Sequence, residues 1–231
     1  MNYSEWKPFY EEIINDLHLD RKKDEVAAEI FDHLISKYSK NYIDITILKD
    51  IIYRKKVYIF GASPSLEKDI ELNMSFFDEG VIIAADGATT ALLKFDIVPD
   101  IIVTDLDGII TDQLQANKNK AIMIIHAHGD NISVLQRTIP KVNGAYLGTI
   151  QTDPSNYSHL KNYGGFTDGD RAVFITDYFK PMQIFLGGFN CKANPGFYSF
   201  QKNNDIERKR KKLLWCHRLL QLFPKEYVKK L

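Results

Sequence analysis

The pattern of apolar and polar positions along the chain changes character near residue 55. Before that point apolar residues recur at helical spacing. Trp6, Phe9, Ile13, Ile14 and Leu17 mark a first helix, with Ser4 as its expected N-cap and Pro8 near its first turn. Asp20 is the expected cap of a second helix, whose inward face is Val26, Ala27, Ile30 and Leu34. Ile45, Leu48 and Ile52 suggest a short third one. Beyond residue 55 short β-rich runs take over: KVYIF from 56, VIIAA from 81, DIIVT from 100, AIMIIHA from 121, GAYLG from 144 and MQIFLGG from 182. They are nearly continuous apolar runs rather than alternating ones, as expected of strands covered on both faces. Amphipathic stretches such as ATTALLKF and DNISVLQRTI separate several of them. Strand and helix alternating in this way predict an α/β fold with a mainly parallel, Rossmann-like sheet of about six strands and flanking helices. A helical segment over residues 1–54 precedes the α/β domain of residues 55–231, and DIERKRKKLLWCHRLLQLF is expected to close it as a C-terminal helix. The charge run in that helix reads as a solvated face lying near a possible anion site.

Composition sharpens this picture. The 231 residues are ordinary for a globular protein, with 45% hydrophobic and 26% charged positions. Lys plus Arg and Asp plus Glu each total 30, so there is no basic surplus of the kind a general nucleic-acid binder needs. Cys191 and Cys216 are far apart and form no C-x-x-C pair, so neither a disulfide framework nor a thiolate zinc site is expected. The start MNYSEWKPFYEE lacks the pattern of a signal peptide, and no apolar run approaches the roughly 20 residues that span a bilayer. The expectation is a cytoplasmic protein acting on small molecules, without nucleic acid or membrane as partner and compatible with a homo-oligomer.

The polar clusters fall just past the predicted strand ends, where a parallel sheet forms its binding crevice. YIFGASPSL places Gly61, Ser63 and Ser65 between a strand and a helix, where small residues let backbone and hydroxyl groups approach a phosphate. It is not a Walker A loop, and a tight turn with an N-cap would read the same way. VIIAADGATT ends in Asp86 and Gly87, IIVTDLDG in Asp105 and Asp107, and MIIHAHGDN in His126, His128, Asp130 and Asn131. Helix capping accounts for one Asp per junction. It accounts poorly for D-x-D, because like charges so close repel unless a cation or a proton separates them. Mg²⁺ is the natural cation, since it joins a few carboxylates to substrate phosphates. His126 and His128, two apart on one strand face, allow zinc with Asp130 as the competing reading, although no third nitrogen or sulfur ligand stands at a motif spacing. In NYGGFTDGDRAVF, a double glycine precedes Phe166, Thr167, Asp168, Asp170 and Arg171 at a helix start. That suits a phosphate ester or its metal; an internal salt bridge between Asp170 and Arg171 is the structural alternative.

Taken together, GASPSL, AADGATTALL, PDIIVTDLDG, HAHGDN, GGFTDGDRA and the terminal KKLLWC resemble, in order, the motifs of archaeal MptE-type 6-hydroxymethyl-7,8-dihydropterin pyrophosphokinases. The resemblance runs from about residue 56 to 216, and the N-terminal segment with its early tryptophan and KDEVAAEIFDHL is similar too. ADG followed by PDIIVTDLDG also resembles thiamin pyrophosphokinases, which implies a shared catalytic core in residues 55–231. Two departures stand out: Ala62 precedes Ser63-Pro64 where many relatives carry glycine, and Gly108 replaces the serine of thiamin pyrophosphokinases. The resemblance implies diphosphoryl transfer from ATP, as co-substrate, to a pterin alcohol in folate-like or methanopterin cofactor synthesis. On that basis Asp105 and Asp107 are expected to hold Mg²⁺, with Asp86 and Asp130 as further ligands or anchors. Asp130 or Asp168 would accept the hydroxyl proton. Gly61, Ser63, Ser65, Gly87, Thr167, Asp170 and Arg171 would surround the phosphates, with His128, Asn131 and Phe166 near the pterin. Alternatives are a thiamin pyrophosphokinase, a nucleotide-sugar transferase, or a metal-dependent nucleotide-binding protein without catalysis.

Overall fold

The computed structural model describes residues 1–190, 195–199 and 206–231. Cys191 lies outside them; Cys216 is buried. Three helices open the chain: α1 (Tyr3–Leu17), α2 (Arg21–Lys37) and α3 (Ile47–Ile52). Then strands and helices alternate: β1 (Lys56–Phe60), α4 (Leu66–Asn73), β2 (Gly80–Ala85), α5 (Ala88–Lys94), β3 (Ile101–Thr104), α6 (Ile110–Lys118), β4 (Ile122–Ala127), α7 (Ile132–Thr138) and β5 (Tyr146–Ile150). The chain finishes with β6 (Leu160–Lys161), α8 (Asp168–Tyr178), β7 (Gln183–Gly187), α9 (Ile206–Leu220) and β8 (Val228–Lys230). The strands form one sheet in the order β6-β5-β4-β3-β2-β1-β7-β8, with every neighbouring pair parallel. All six predicted strands are present; β6 and β8 bring the number to eight because runs of two and three residues carry no readable period.

Side chains alternate across the sheet, so each strand feeds two cores. Val57, Ile59, Val103, Ile124 and Ile184 pack beneath α3 and α8, meeting Leu48, Ile52, Val173 and Ile175. On the opposite face Ile102, Met123 and Ile125 meet Phe31 and Ile35 of α2, while Tyr58 and Phe60 meet Leu66 and Ile70 of α4. α1 lies outside this sandwich, against α8 and α9, through Trp6, Tyr10 and Ile13 on Phe174, Trp215 and Leu219.

Two helix details differ from expectation. Asn2 rather than Ser4 caps α1, because Glu5 stands three residues on and completes a capping box. Asp20 does cap α2, but the buried stripe is Asp24, Ala27, Ala28, Phe31 and Ile35, and Val26 is 46% exposed. The helix is rotated so that its one aromatic side chain, Phe31, enters the core, and this brings the acid Asp24 inward with it.

Candidate active site

The sheet order turns back at β1, with β7 on its other side, and the carboxyl ends of the central strands open into a cleft of ≈ 350 Å³. Its acids are set by irregular backbone. Asp86 follows β2 with φ 43°, a left-handed conformation that Asp tolerates better than most residues. Its Oδ1 accepts hydrogen bonds from Thr104 Oγ1 and Gln113 Nε2, each at 2.8 Å, and from Gly108 N at 3.2 Å. A Cβ on Gly108 would lie 2.6 Å from Asp86 Oδ2, so a serine there would have to displace the Asp86 carboxylate. Leu106, between the two acids of D-x-D, is also left-handed, with φ 67°. It is 1% exposed, and its N–H donates to Thr104 Oγ1 at 2.8 Å. Leu106 thus anchors the turn in the core while Asp105 and Asp107 remain on the cleft side. A β-branched or large apolar residue in this conformation costs of order 1 kcal/mol or more, the kind of strain that persists where a site requires it.

Asp105 Oδ2 lies 3.0 Å from His128 Nε2, whereas its Oδ1 is buried without a hydrogen-bond partner among the described residues. The fourth acid arrives from the other direction. At the start of α8, Thr167 and Asp170 form a capping box in which Asp170 Oδ1 accepts from Phe166 N and Thr167 N. Arg171 then donates to Asp168 Oδ1 at 2.8 Å and to Phe166 O at 2.8 Å. Gly165, with φ 88°, permits this closeness, since a Cβ there would meet Arg171 Cα at 2.4 Å.

One carboxylate oxygen from each of Asp86, Asp105, Asp107 and Asp168 falls within 4.8 Å of the others. Like charges this close cannot all stay ionised without a cation. Burial, then the charges of Asp168 and Asp105, push Asp86 up to about 6. Burial, with Asp105 and Asp86 beside it, pushes Asp107 up to about 9. Asp168 is raised well above the carboxylate range by burial and Asp105. Burial also presses Asp105 upward, but His128, Lys212 and Arg171 outweigh it and hold that carboxyl well below the usual range. At neutral pH Asp107 and Asp168 retain protons beside an ionised Asp105, an arrangement that suits an oxygen-seeking divalent cation, which would replace those protons. The orphaned Asp105 Oδ1 fits the same occupant.

Not every expected residue joins this group. Asp130 stands outside it: its side chain is 62% exposed and lies 3.6 Å from Arg208. Asp168 takes the fourth place. Among the described residues the histidines assemble no metal site, because His128 faces Asp105 and His126 Nδ1 lies 3.1 Å from Thr149 Oγ1. Gly61, Ser63, Gly87, Phe166 and Thr167 line the cleft. Ser65 instead donates to Asp69, which also accepts from Gly188 N, and so ties the β1 loop to the β7 loop. Asn131 is fully buried, donating to Asp105 O and His126 O and accepting from His128 N, so it frames the site rather than facing a substrate. Asp170, likewise buried, completes the capping box of α8 from its third position.

The sequence does not single out the other cleft residues by number, although the charge run of the last helix reads as lying near a possible anion site. Lys23 of α2 and Arg208, Lys209 and Lys212 of α9 line it, with Lys212 Nζ 5.8 Å from the centre of the Phe166 ring. The spacing of 209 and 212 puts both lysines on one helix face, the only signal available. Lys212→Met is expected to raise the half-saturating concentration of a nucleoside triphosphate about tenfold, the value of one charge-assisted contact. Titration with a non-hydrolysable nucleotide reads that change directly.

A parallel α/β sheet whose strand ends gather one buried and three half-buried acids beside a cationic helix defines a protein with a carboxylate group that could hold a metal ion, next to cationic side chains. The chain belongs to the MptE-like family, described as 6-hydroxymethylpterin diphosphokinases, whose model matches residues 32–195. It is 43% identical to the 6-hydroxymethyl-7,8-dihydropterin pyrophosphokinase of Pyrococcus furiosus over 227 residues, 96% of this chain and 94% of that protein. The protein of the same name from Methanocaldococcus jannaschii is 39% identical over 198 residues, 82% of this chain and 80% of the relative. That from Methanothermobacter thermautotrophicus is 38% identical over 191 residues, 82% and 79% respectively.

Proposed function

We propose that this protein transfers a diphosphoryl group from ATP to 6-hydroxymethyl-7,8-dihydropterin, with Mg²⁺, in folate-like or methanopterin cofactor synthesis. The observation that carries the reading is the group of Asp86, Asp105, Asp107 and Asp168, in a chain whose family is named for this activity. The pterin hydroxymethyl oxygen forms a bond to the β-phosphorus, the bond from that phosphorus to the oxygen bridging the α-phosphate breaks, and AMP leaves with that oxygen. The four acids would hold Mg²⁺, which when bound neutralises and aligns phosphate oxygens. The chain's own part is positioning and charge. Arg171 fixes Asp168, His128 fixes Asp105, and Lys209 and Lys212 face the cleft as cations for the phosphates. Asp130, at the cleft and outside the four-acid group, accepts the hydroxyl proton.

The test is AMP formation from ATP and Mg²⁺ with the pterin alcohol and thiamin offered separately. AMP and pterin diphosphate are expected with the pterin alone. AMP with thiamin alone would replace the acceptor, and AMP with neither would overturn the transfer itself.

A further inference from the structure

We propose that Asp24, on the N-terminal helix α2, is a positioning residue of this site, and that the α1–α2 hairpin is therefore part of the working machinery. The proposal rests on the diphosphoryl-transfer reading for its catalytic consequence, though not for its geometry. Asp24 is 6% exposed. Its carboxylate collects three donors from three separate places: Tyr10 Oη of α1 at 2.6 Å, Gln151 Nε2 just past β5 at 2.7 Å, and Gly129 N after β4 at 2.8 Å. Trp6 Nε1 of α1 adds a bond to Gln151 O at 3.3 Å, closing the hairpin onto the same corner.

Burying a carboxylate is costly unless its oxygens are satisfied. Helix α2 does not need one to dock, because Ala27, Ala28, Phe31 and Ile35 already seat it on the sheet. What the acid adds is a grip on the β4 turn. Three donors converge on it, and a carboxylate is acceptor-only, whereas an asparagine would present two N–H donors of its own at the same spot. The turn is pressed hard against the helix as well: a Cβ on Gly129 would lie 2.5 Å from Lys23 Cβ.

The residue before Gly129 is His128, whose ring meets Asp105 Oδ2 at 3.0 Å and whose N–H is held by Asn131 Oδ1. Asp24 thus acts on the acid group through one intermediary, fixing the turn that fixes His128 against Asp105. Partners one step removed from a metal ligand, the place His128 holds, commonly matter about 10–100-fold for affinity or activity, and Asp24, one step further, is expected at the lower end of that range. Asp24, Lys23, His18 and Asp20 also line the cleft, so the hairpin forms one of its walls.

The experiment compares the full-length parent with Asp24→Asn, Gly129→Ala and Asp32→Asn. The last is a control on the same helix, where Asp32 accepts from His159 N at 3.0 Å without facing the cleft. Calorimetric titration with Mg²⁺, or with Mn²⁺ followed by electron spin resonance, reads the acid group without requiring turnover; thermal melts read stability, and steady-state rates give kcat and half-saturating Mg²⁺. Asp24→Asn and Gly129→Ala are expected to weaken cation binding about tenfold and to lower kcat. Asp32→Asn is expected to lower the melting temperature while leaving cation affinity unchanged. Cation affinity within twofold of the parent in Asp24→Asn, or an equal loss in Asp32→Asn, overturns the proposal. Should Asp24→Asn lack a cooperative melt, Gly129→Ala decides by the same criterion. If the parent forms no AMP with the pterin, the functional reading falls while the cation titrations still judge Asp24.

Discussion

Asp107→Asn should lower AMP formation about a thousandfold and leave the metal-free protein at least as stable as the parent. The two halves of this expectation have the same cause. In the metal-free site Asp107 is pushed up to about 9 by burial and by Asp105 and Asp86, so at neutral pH its carboxyl is already neutral. An asparagine of nearly the same shape therefore removes no charge that the empty fold was using. What it removes is the ability to become a carboxylate when a cation arrives, and with it a fixed negative ligand opposite the phosphates. Asp105→Asn should abolish turnover too, but at a cost in stability, because this carboxyl is the one held ionised by His128, Lys212 and Arg171. Rate assays alongside melts in a chelator separate the two variants. Near-normal turnover in both would reduce these acids to helix caps.

Most of the fold was legible because a strand buried on both faces must be apolar throughout, and KVYIF, DIIVT and AIMIIHA have few other uses. Asp86, Asp105 and Asp107 were legible for a related reason: Asp86 and Asp105 follow such a strand directly and Asp107 stands two residues on, so the strand delivers them to the sheet edge. Asp168 and Asp130 exchanged places in the acid group. The sequence gives both the same setting, an acid at the start of a helix, but α8 crosses back over β1, β2 and β3 and carries Asp168 inward. The turn held by Asp24 leaves Asp130 toward Arg208. Lys209 and Lys212 belong to a charge run that reads as a solvated face near a possible anion site, because a charged stripe on an amphipathic helix looks alike whether it faces water or a cleft. Asn131 was expected near the pterin, yet its amide is spent on the backbone of Asp105 and His126, a use that only the folded turn reveals.

The second large effect is a pH dependence of cation binding. Burial and mutual repulsion raise Asp86 to about 6, Asp107 to about 9, and Asp168 well above the carboxylate range. In the unfolded chain the same groups release their protons near the ordinary aspartate value of about 3.9. Between these limits the three groups bind more protons folded and metal-free than unfolded, so their contribution to stability is fully present below about pH 4 and is lost as pH rises toward 9. A divalent cation must displace the retained protons. Its apparent affinity should therefore climb about tenfold per pH unit for each proton displaced between about pH 6 and pH 8. The rise in melting temperature on adding Mg²⁺ should grow over the same interval, small where Asp86 and Asp107 both keep protons and largest where the acids would otherwise repel one another ionised. Titrations at several pH values, in buffers of differing ionisation enthalpy, count the protons released per cation. Release of no protons, with a flat affinity, would mean that the four carboxylates coexist ionised in a buried space without a cation. Coulomb repulsion across less than 5 Å opposes that state, so this outcome would overturn the acid group as the cation's binding site.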